Sequence, residues 1–159
     1  MERIDRIVSN PIYREKLKQL DELEQERIYC KHGMEHAVNV ARIMYIRALE
    51  QGLVVDKEII YAAALLHDLG RCDQYVYNIP HHEAGAKLAV QILTECGFDE
   101  SEIAVIEEAI RAHRKEERSS GTFSALLYEA DKLSRDCYRC KAGETCNWAE
   151  EKRNHTIRY

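Results

Sequence analysis

The segment AAALLHDLGR, residues 62–71, places a histidine and an aspartate at the end of an apolar run. Burying the His67 imidazole beside the Asp68 carboxylate costs several kcal/mol unless another group compensates both of them. A divalent cation would do so, because it binds the lone pair of a neutral imidazole and the charge of a carboxylate. The pair therefore raises the hypothesis of a metal site.

Further histidines and a second aspartate lie on or beside helix faces that are otherwise apolar. His36, for example, follows the helical spacing of Val40 and Ile43. One such residue alone is more often a hydrogen-bonded core residue or a helix cap than a ligand. Four histidines and two aspartates together form a ligand set suited to Mn, Fe, Zn or Co, in which a carboxylate can bridge two ions. The members of this set are His36, His67, Asp68, His82, His113 and Asp131.

Helices are predicted to position these residues, because no stretch alternates polar and apolar residues over the length of a strand. We therefore expect an all-α bundle of about six helices. Asn10 and Asp56 are typical N-caps, Asp99 and Glu102 resemble a capping box, and Gly97 is a typical helix stop. The predicted helices cover about residues 11–27, 33–51, 56–70, 81–96, 99–114 and 124–137, with loops at 71–80 and 115–122.

The order of these residues resembles that of a known family. His36, then the His67-Asp68 pair, then Asp131 is similar to the H…HD…D pattern of the HD-domain metal-dependent phosphohydrolases. The segments HGMEHAVNVARI, ALLHDLGR and LYEADKLSR resemble the three motif-bearing helices of that family. The resemblance extends over residues 28–136 and implies an all-α HD-domain bundle.

Two further segments resemble the members of the family that bind two metals. HHEAGAKLAVQIL is similar to their HxxGA segment, and AIRAHR is similar to the segment of their following histidine. His81 is an alternative to His82 as the ligand, but the spacing to Gly85 and the apolar stripe through Ala86 favour His82. The resemblance implies that His36, His67 and Asp131 hold one metal, that His82 and His113 hold the second, and that Asp68 bridges both.

The resemblance also implies a catalytic role for this centre. Two divalent ions (Mn, Fe, Zn, Co or Mg) would lower the pKa of a bridging water to give a hydroxide nucleophile and would clamp the phosphoryl oxygens. The expected catalytic residues are Asp68, His67 and Arg71, whose guanidinium can bind phosphate through two hydrogen bonds. Lys132 and Arg135 are further candidates for substrate binding, although each can equally be a solvated surface cation.

Three cysteines lie near the end of the chain in CYRCKAGETCNW, with the spacing C-x2-C-x5-C. A C-x2-C pair is half of a common zinc or iron–sulfur site, and a closed site needs four ligands. The alternatives are free core cysteines, with Trp148 packing the tail, or a redox dithiol. The candidate ligands of a structural zinc or iron–sulfur site are Cys137, Cys140 and Cys146, with Cys30 favoured as the fourth over Cys72 and His155.

Composition and charge limit the class of protein. The chain of 159 residues is 45% hydrophobic and 32% charged, as in a soluble globular domain. We expect a cytoplasmic protein with no membrane contact, because no apolar run approaches ~20 residues and the first residues lack a signal-peptide core. A net charge of -5 argues against a nucleic-acid polymer as partner. We expect an HD domain at residues 1–136 and a Cys-rich extension at residues 137–159, packed on the same domain.

These observations favour a hydrolase that acts on phosphate esters of a small molecule such as a nucleotide. Two alternatives remain open at this point. Some proteins of this fold are di-iron oxygenases, which use a similar ligand set to cleave C–C or C–P bonds. Others are regulatory modules that bind a nucleotide without turnover, although such a module has no reason to keep a complete ligand set.

Overall fold

The computed structural model describes residues 1–113 and 122–159. Over these residues the secondary structure consists of helices without strands, which confirms the all-α prediction. The predicted loop at 115–122 lies, apart from Thr122, outside the described residues. Eight α-helices and three 3-10 turns are described: α1 (Glu2–Ser9), α2 (Pro11–Leu23), α3 (Met34–Glu50), α4 (Lys57–Leu66), α5 (Arg71–Tyr77), α6 (His81–Cys96), α7 (Glu100–Ala112) and α8 (Phe123–Leu133), with the turns at Cys137–Arg139, Gly143–Thr145 and Glu150–Lys152.

Helix α4 is the central element of the bundle. Its alanine-rich sequence favours a helix, and the residues from Ala62 to Leu66 are all buried. A helix that is apolar on every side must be surrounded by other elements, and α4 contacts α1, α3, α6 and α7. Helix α3 also packs against α8, and α7 packs against both α6 and α8. None of the described helices is long and apolar enough to cross a membrane.

The predicted helix caps are confirmed. The Asn10 side-chain oxygen accepts hydrogen bonds from the first backbone N–H groups of α2. Before α7, the Asp99 side chain accepts from the backbone N–H of Glu102 at 2.9 Å, and the Glu102 side chain accepts from the backbone N–H of Asp99 at 3.0 Å. These reciprocal bonds pair donors that the helix itself leaves unsatisfied, which fixes where each helix begins.

Two short helices were not predicted. Residues 2–9 form α1, which buries Ile4 and Ile7, and the predicted loop after Gly70 begins with α5. Helix α5 lies against α2, where an ion pair of 2.7 Å joins Lys16 to Asp73. It ends at Asn78, whose φ of 58° is a left-handed conformation that asparagine tolerates. Helices this short depend on tertiary contacts, which a local pattern does not show.

Helices α2, α4 and α8 end earlier than predicted, and the end of α4 shapes the site. Helix α4 stops at Leu66, and residues 67–70 form a tight turn against the start of α6. A Cβ atom on Gly70 would lie 2.2 Å from the carbonyl oxygen of His81 and 2.3 Å from the nitrogen of Gly85. This close backbone approach places the side chains of the turn beside the first residues of α6.

Candidate metal centre

Five helical segments bring six polar side chains to one buried cluster. His36 lies in the first turns of α3, and His67 and Asp68 follow the end of α4. The other three members are His81 at the start of α6, His113 at the end of α7 and Asp131 near the end of α8. All of them except His36, which is partly buried, are buried.

Asp68 lies at the centre of this cluster, and its two carboxylate oxygens face different histidines. Oδ2 is 3.2 Å from Nε2 of His67 and 3.6 Å from Nε2 of His36. Oδ1 is 3.5 Å from Nε2 of His81 and 3.6 Å from Nε2 of His113. One carboxylate therefore joins two pairs of imidazoles.

Asp131 completes the first of two ligand groups, because its Oδ1 lies 3.4 Å from Nε2 of His36. In each group, the atoms that could bind a cation all lie within 4.8 Å of one another. The first group consists of His36, His67, Asp68 and Asp131, and the second consists of Asp68, His81 and His113.

Each of the four histidines uses Nδ1 for a hydrogen bond to the protein and directs Nε2 into the cluster. A partner that accepts this bond fixes the proton on Nδ1 and leaves the lone pair on Nε2, as metal-binding histidines require. The partners are the carbonyls of Ala64 for His67 (2.7 Å) and Ile110 for His113 (2.6 Å), the side chain of Gln74 for His81, and the hydroxyl of Ser134 for His36 (3.2 Å).

The missing hydrogen-bond partners of the inward-facing atoms in the first group indicate whether these residues fit a metal. Nε2 of His36, Nε2 of His67 and both oxygens of Asp68 are buried without a hydrogen-bond partner. An unpaired buried polar atom costs about 1–3 kcal/mol, so a cluster of four would be strongly unfavourable by itself. Divalent cations would compensate these atoms, and the mixed nitrogen and oxygen donors suit Mn, Fe, Zn or Co.

The electrostatic environment keeps the carboxylates of the cluster ionised. Burial would raise the pKa of Asp68, but His67 and Arg71 hold it well below its usual range. Burial likewise opposes ionisation of Asp131, whose pKa is lowered by His36 and Lys132. In return, the two carboxylates outweigh the effect of burial on His36 and raise its pKa to about 9, so a cation that binds Nε2 would displace a proton from this ring. Both aspartates are therefore charged at neutral pH, as metal ligands must be.

The structure corrects the sequence prediction at the adjacent histidines of α6. His82, the expected ligand, belongs to neither ligand group, and His81 takes that place. The reason is the contact between α6 and the turn at residues 67–70. Gly85 lies on the face of α6 that touches this turn, and His81, one helical turn earlier, shares that face.

A cavity of about 1370 Å³ opens beside this cluster, with His36 in its lining. Two of the three predicted phosphate-binding residues, Arg71 and Arg135, also line it, and Nε of Arg71 is 2.8 Å from Oδ1 of Asp68. Lys132 is not part of the lining, and its ammonium pairs with Asp131. The four predicted thiol ligands line the cavity as well: Cys30, Cys137, Cys140 and Cys146.

Sequence analysis missed a buried carboxylate next to this cavity. Glu24 accepts hydrogen bonds from the backbone N–H of His32 at 2.7 Å and from the hydroxyl of Tyr75 at 2.6 Å, and Nδ1 of His32 lies 2.6 Å from its carboxylate. The His32 ring in turn lies 5.6 Å from that of His36, measured between centroids. Glu24 therefore fixes the segment that leads into α3. A glutamate in a charged helix end gives no sequence signal of this role.

Glu24 also gives a prediction about the dependence of stability on pH. Burial would raise its pKa, but the bonds from His32 and Tyr75 lower it from 4.5 to about 2. Its contribution to stability is therefore full above pH 4.5 and is lost as the pH falls toward 2. Such a shift corresponds to about 3 kcal/mol at most. We expect Glu24→Gln to lose up to that amount at pH 7 and to approach wild-type stability in acid, measured by urea unfolding.

The exposed neighbour Glu26 provides the matched control for this experiment. Glu26→Gln should unfold like the wild type at every pH. A Glu24→Gln protein as stable as the wild type at pH 7 would contradict the assigned role of Glu24.

Comparison with known proteins identifies the family. The HD domain family matches residues 33–136. An uncharacterized protein of Clostridium beijerinckii is 40% identical over the full length of both chains. Ribonuclease Y of Pelobacter propionicus is 32% identical over 123 residues, which are 77% of this chain but 22% of the ribonuclease.

A solved structure supports the same conclusion. The crystal structure of a predicted HD superfamily hydrolase from an uncultured Thermotogales bacterium superposes with a TM-score of 0.60 and 27% identity. The superposition covers 88% of this chain and 80% of the other. Since the family match spans most of the chain and includes all six residues of the buried cluster, this protein belongs to the HD-domain family.

Proposed function

We propose that this protein is a metal-dependent hydrolase of phosphate esters of a small molecule and that it uses two divalent cations. The observation that carries the proposal is the position of Asp68. Its two oxygens face different histidine pairs, and apart from the ion pair between Oδ1 and Nε of Arg71 neither oxygen has a hydrogen-bond partner. A buried carboxylate in this position is suited to bridging two cations.

Each of the two ligand groups would hold one cation. His36, His67 and Asp131 would hold one cation, His81 and His113 would hold the other, and Asp68 would contact both. When bound, two such ions activate a water as nucleophile and neutralise charge on the phosphoryl oxygens. The protein residues orient these groups through the Nδ1 hydrogen bonds described above.

Two arginines beside the cluster, Arg71 and Arg135, are suited to binding the phosphoryl group. Arg135 has the clearer geometry for this role. Arg135 has a side chain that is 9% exposed, and its buried Nη1 has no hydrogen-bond partner. Its guanidinium carbon lies 3.8 Å from the ring centroid of Trp148, a contact that restricts the orientation of the planar group. An arginine with an unused N–H group in a cavity wall can form a directed bond to a phosphate oxygen.

The shape and charge of the surroundings support a small substrate. The cavity is bounded by the segment before α3 and by the tail after α8, and its volume suits a ligand of nucleotide size. The net charge of -5 disfavours a long polyanion. The ribonuclease Y relatives make RNA the alternative substrate that an experiment must include.

The test is hydrolysis with Mn²⁺, Fe²⁺ or Mg²⁺, in air and without oxygen. It is measured as phosphate release from phosphomonoesters and nucleotides, and as shorter nucleotide products separated by chromatography from dinucleotides and a short RNA. We expect turnover of a small phosphate ester that requires the metal and continues without oxygen. Cleavage of RNA alone would overturn the choice of a small substrate. Oxygen consumption without hydrolysis of any phosphate ester would indicate an oxygenase and overturn the proposal.

Arg135→Lys is a sharper test of the cavity wall. Lysine keeps the charge but lacks the planar fork, so we expect KM to rise about tenfold or more while kcat changes less, as for loss of one charged hydrogen bond. Arg111→Lys is the control, because Arg111 lies on α7 in an exposed pair with Glu107. An unchanged KM for Arg135→Lys would show that the guanidinium does not contact the substrate.

A further inference from the structure

The tail after α8, residues 137–159, lies against the domain without a hydrophobic core of its own. Ala142 is its one buried residue, and its regular structure consists of three short 3-10 turns. Polar contacts tie it down, including bonds from the Asn154 side chain to the carbonyls of Lys132 and Arg135. Segments that bury so little apolar surface usually need a metal or a disulfide to hold one conformation.

Four of the six cysteines gather where this tail meets the rest of the chain. Cys30, in the segment before α3, lines the same cavity as the three tail cysteines. The two segments are joined directly, because the Tyr29 hydroxyl donates to the Thr145 carbonyl at 3.2 Å. None of the four is a core residue: Cys140 is exposed, and Cys30, Cys137 and Cys146 are partly buried. Their reduced thiols are thus not explained by packing.

Among the candidates for the fourth ligand, the structure favours Cys30. Cys30 directly follows Tyr29, and Thr145, whose carbonyl accepts from the Tyr29 hydroxyl, directly precedes Cys146. Cys72 is buried elsewhere, and its thiol donates to the Lys16 carbonyl at 3.2 Å. His155 remains in the cavity lining, but its ring contacts Glu150.

We propose that Cys30, Cys137, Cys140 and Cys146 bind a structural Zn²⁺ ion that fixes the tail to the segment before α3. Four thiolates in tetrahedral geometry form a closed site of the kind that zinc prefers. The C-x2-C pair begins at a 3-10 turn, in which the Cys140 N–H donates to the Cys137 carbonyl at 3.2 Å. Arg153 stabilises the loop of the third ligand by donating to the Cys146 carbonyl at 2.7 Å.

Zinc binding requires a local closure of these two segments. Unlike the side chains of the buried histidine–aspartate cluster, the four thiols are not already gathered within 4.8 Å of one another. Tetrahedral Zn–S bonds of about 2.3 Å would place the sulfur atoms ~3.8 Å apart and would release the thiol protons to solvent. Closure is feasible because the tail is held by polar contacts at the surface and not by a packed core.

This site would act on the cavity from a distance. The tail supplies one wall of the cavity, including Trp148, whose ring stacks on Arg135. Fixing the tail would thus hold Arg135 in place without any contact between the zinc and the substrate. The proposal does not depend on the reaction at the buried cluster.

Cobalt substitution tests the site independently of activity. Tetrahedral Co²⁺–thiolate sites give sulfur-to-cobalt charge-transfer absorption in the near ultraviolet, which histidine and carboxylate ligands do not produce. We expect this band in the wild-type protein loaded with Co²⁺ and its loss on addition of excess Zn²⁺. Cys30→Ser and Cys137→Ser should weaken the band strongly. Cys72→Ser is the matched control, because a serine hydroxyl can still donate to the Lys16 carbonyl, and it should keep the band.

A second measurement uses the wild-type protein, so it tests the site even if the cysteine variants fail to fold. In wild-type protein, removal of zinc by a chelator should expose the tail to trypsin at Arg139, Lys141 and Lys152 before the helical domain is cut. Absence of the charge-transfer band in folded wild type, or its persistence in both Cys30→Ser and Cys137→Ser, would overturn the proposal. Isolation of the protein with the visible absorption of an iron–sulfur cluster would also overturn it.

Discussion

Asp68→Asn is expected to lower kcat/KM for the phosphate ester by about 10³-fold or more, beyond the 10²–10³ typical of losing one hydrogen-bond donor at a reaction centre. The asparagine keeps the shape of the side chain but removes the charge that faces both histidine pairs. Both cations would lose a shared ligand, so we expect binding of Mn²⁺, measured by equilibrium dialysis, to weaken at both positions. Mn²⁺ is the appropriate probe because it binds thiolates poorly.

Asp73→Asn provides the control for this substitution. Asp73 lies in α5, and its carboxylate pairs with Lys16 outside the cluster. This variant should retain Mn²⁺ binding and turnover. Wild-type turnover in Asp68→Asn would contradict the proposed mechanism, and tight Mn²⁺ binding at both positions would contradict the bridging role.

Gly70→Ala is expected to have the largest effect on stability. A Cβ atom at this position would lie within 2.3 Å of two backbone atoms, the His81 oxygen and the Gly85 nitrogen. Backbone cannot move aside as a flexible side chain can, so the turn at residues 67–70 must separate from α6. We expect a loss of about 3 kcal/mol or more in the free energy of unfolding, the upper range for overpacking. Metal binding should weaken as well, because the separation moves His81 away from Asp68.

Gly143→Ala is the matched control for the unfolding experiment. A Cβ atom on Gly143 would meet no atom within 4 Å, so the free energy of unfolding should stay within about 0.5 kcal/mol of wild type. Equal stability of Gly70→Ala and wild type would mean that the turn does not approach α6 as closely as described. The distances between Asp68 and the second histidine pair would then be wrong too.

Much of the fold could be predicted from local pattern. The caps at Asn10 and Asp99 were identified correctly because a side chain that bonds the first N–H groups of a helix is a local arrangement. Helix α5 was missed because its stability depends on α2, through contacts such as the pair between Lys16 and Asp73. A short helix without an apolar stripe has no periodic signal to detect.

Local pattern also predicted the possible ligands that lie inside a regular helix or directly at its end. His36, His113 and Asp131 are one or two turns from apolar residues of the same face, so their direction followed from helical periodicity. The structure brings these three to the His67 and Asp68 side chains. Periodicity also indicated that each would point inward, but not which atoms would meet.

The sequence alone determined the helical class, the family pattern and five of the six members of the cluster, because these depend on residue type and on spacing along one helix. Tertiary structure decided between His81 and His82, which are adjacent at the start of α6 and about 100° apart around its axis. The close contact of Gly70 with Gly85 turns the face of α6 that carries His81 toward the cluster. Cys30 was already favoured from the sequence as a partner of the tail cysteines. Only the folded chain shows that its segment and the tail line one cavity.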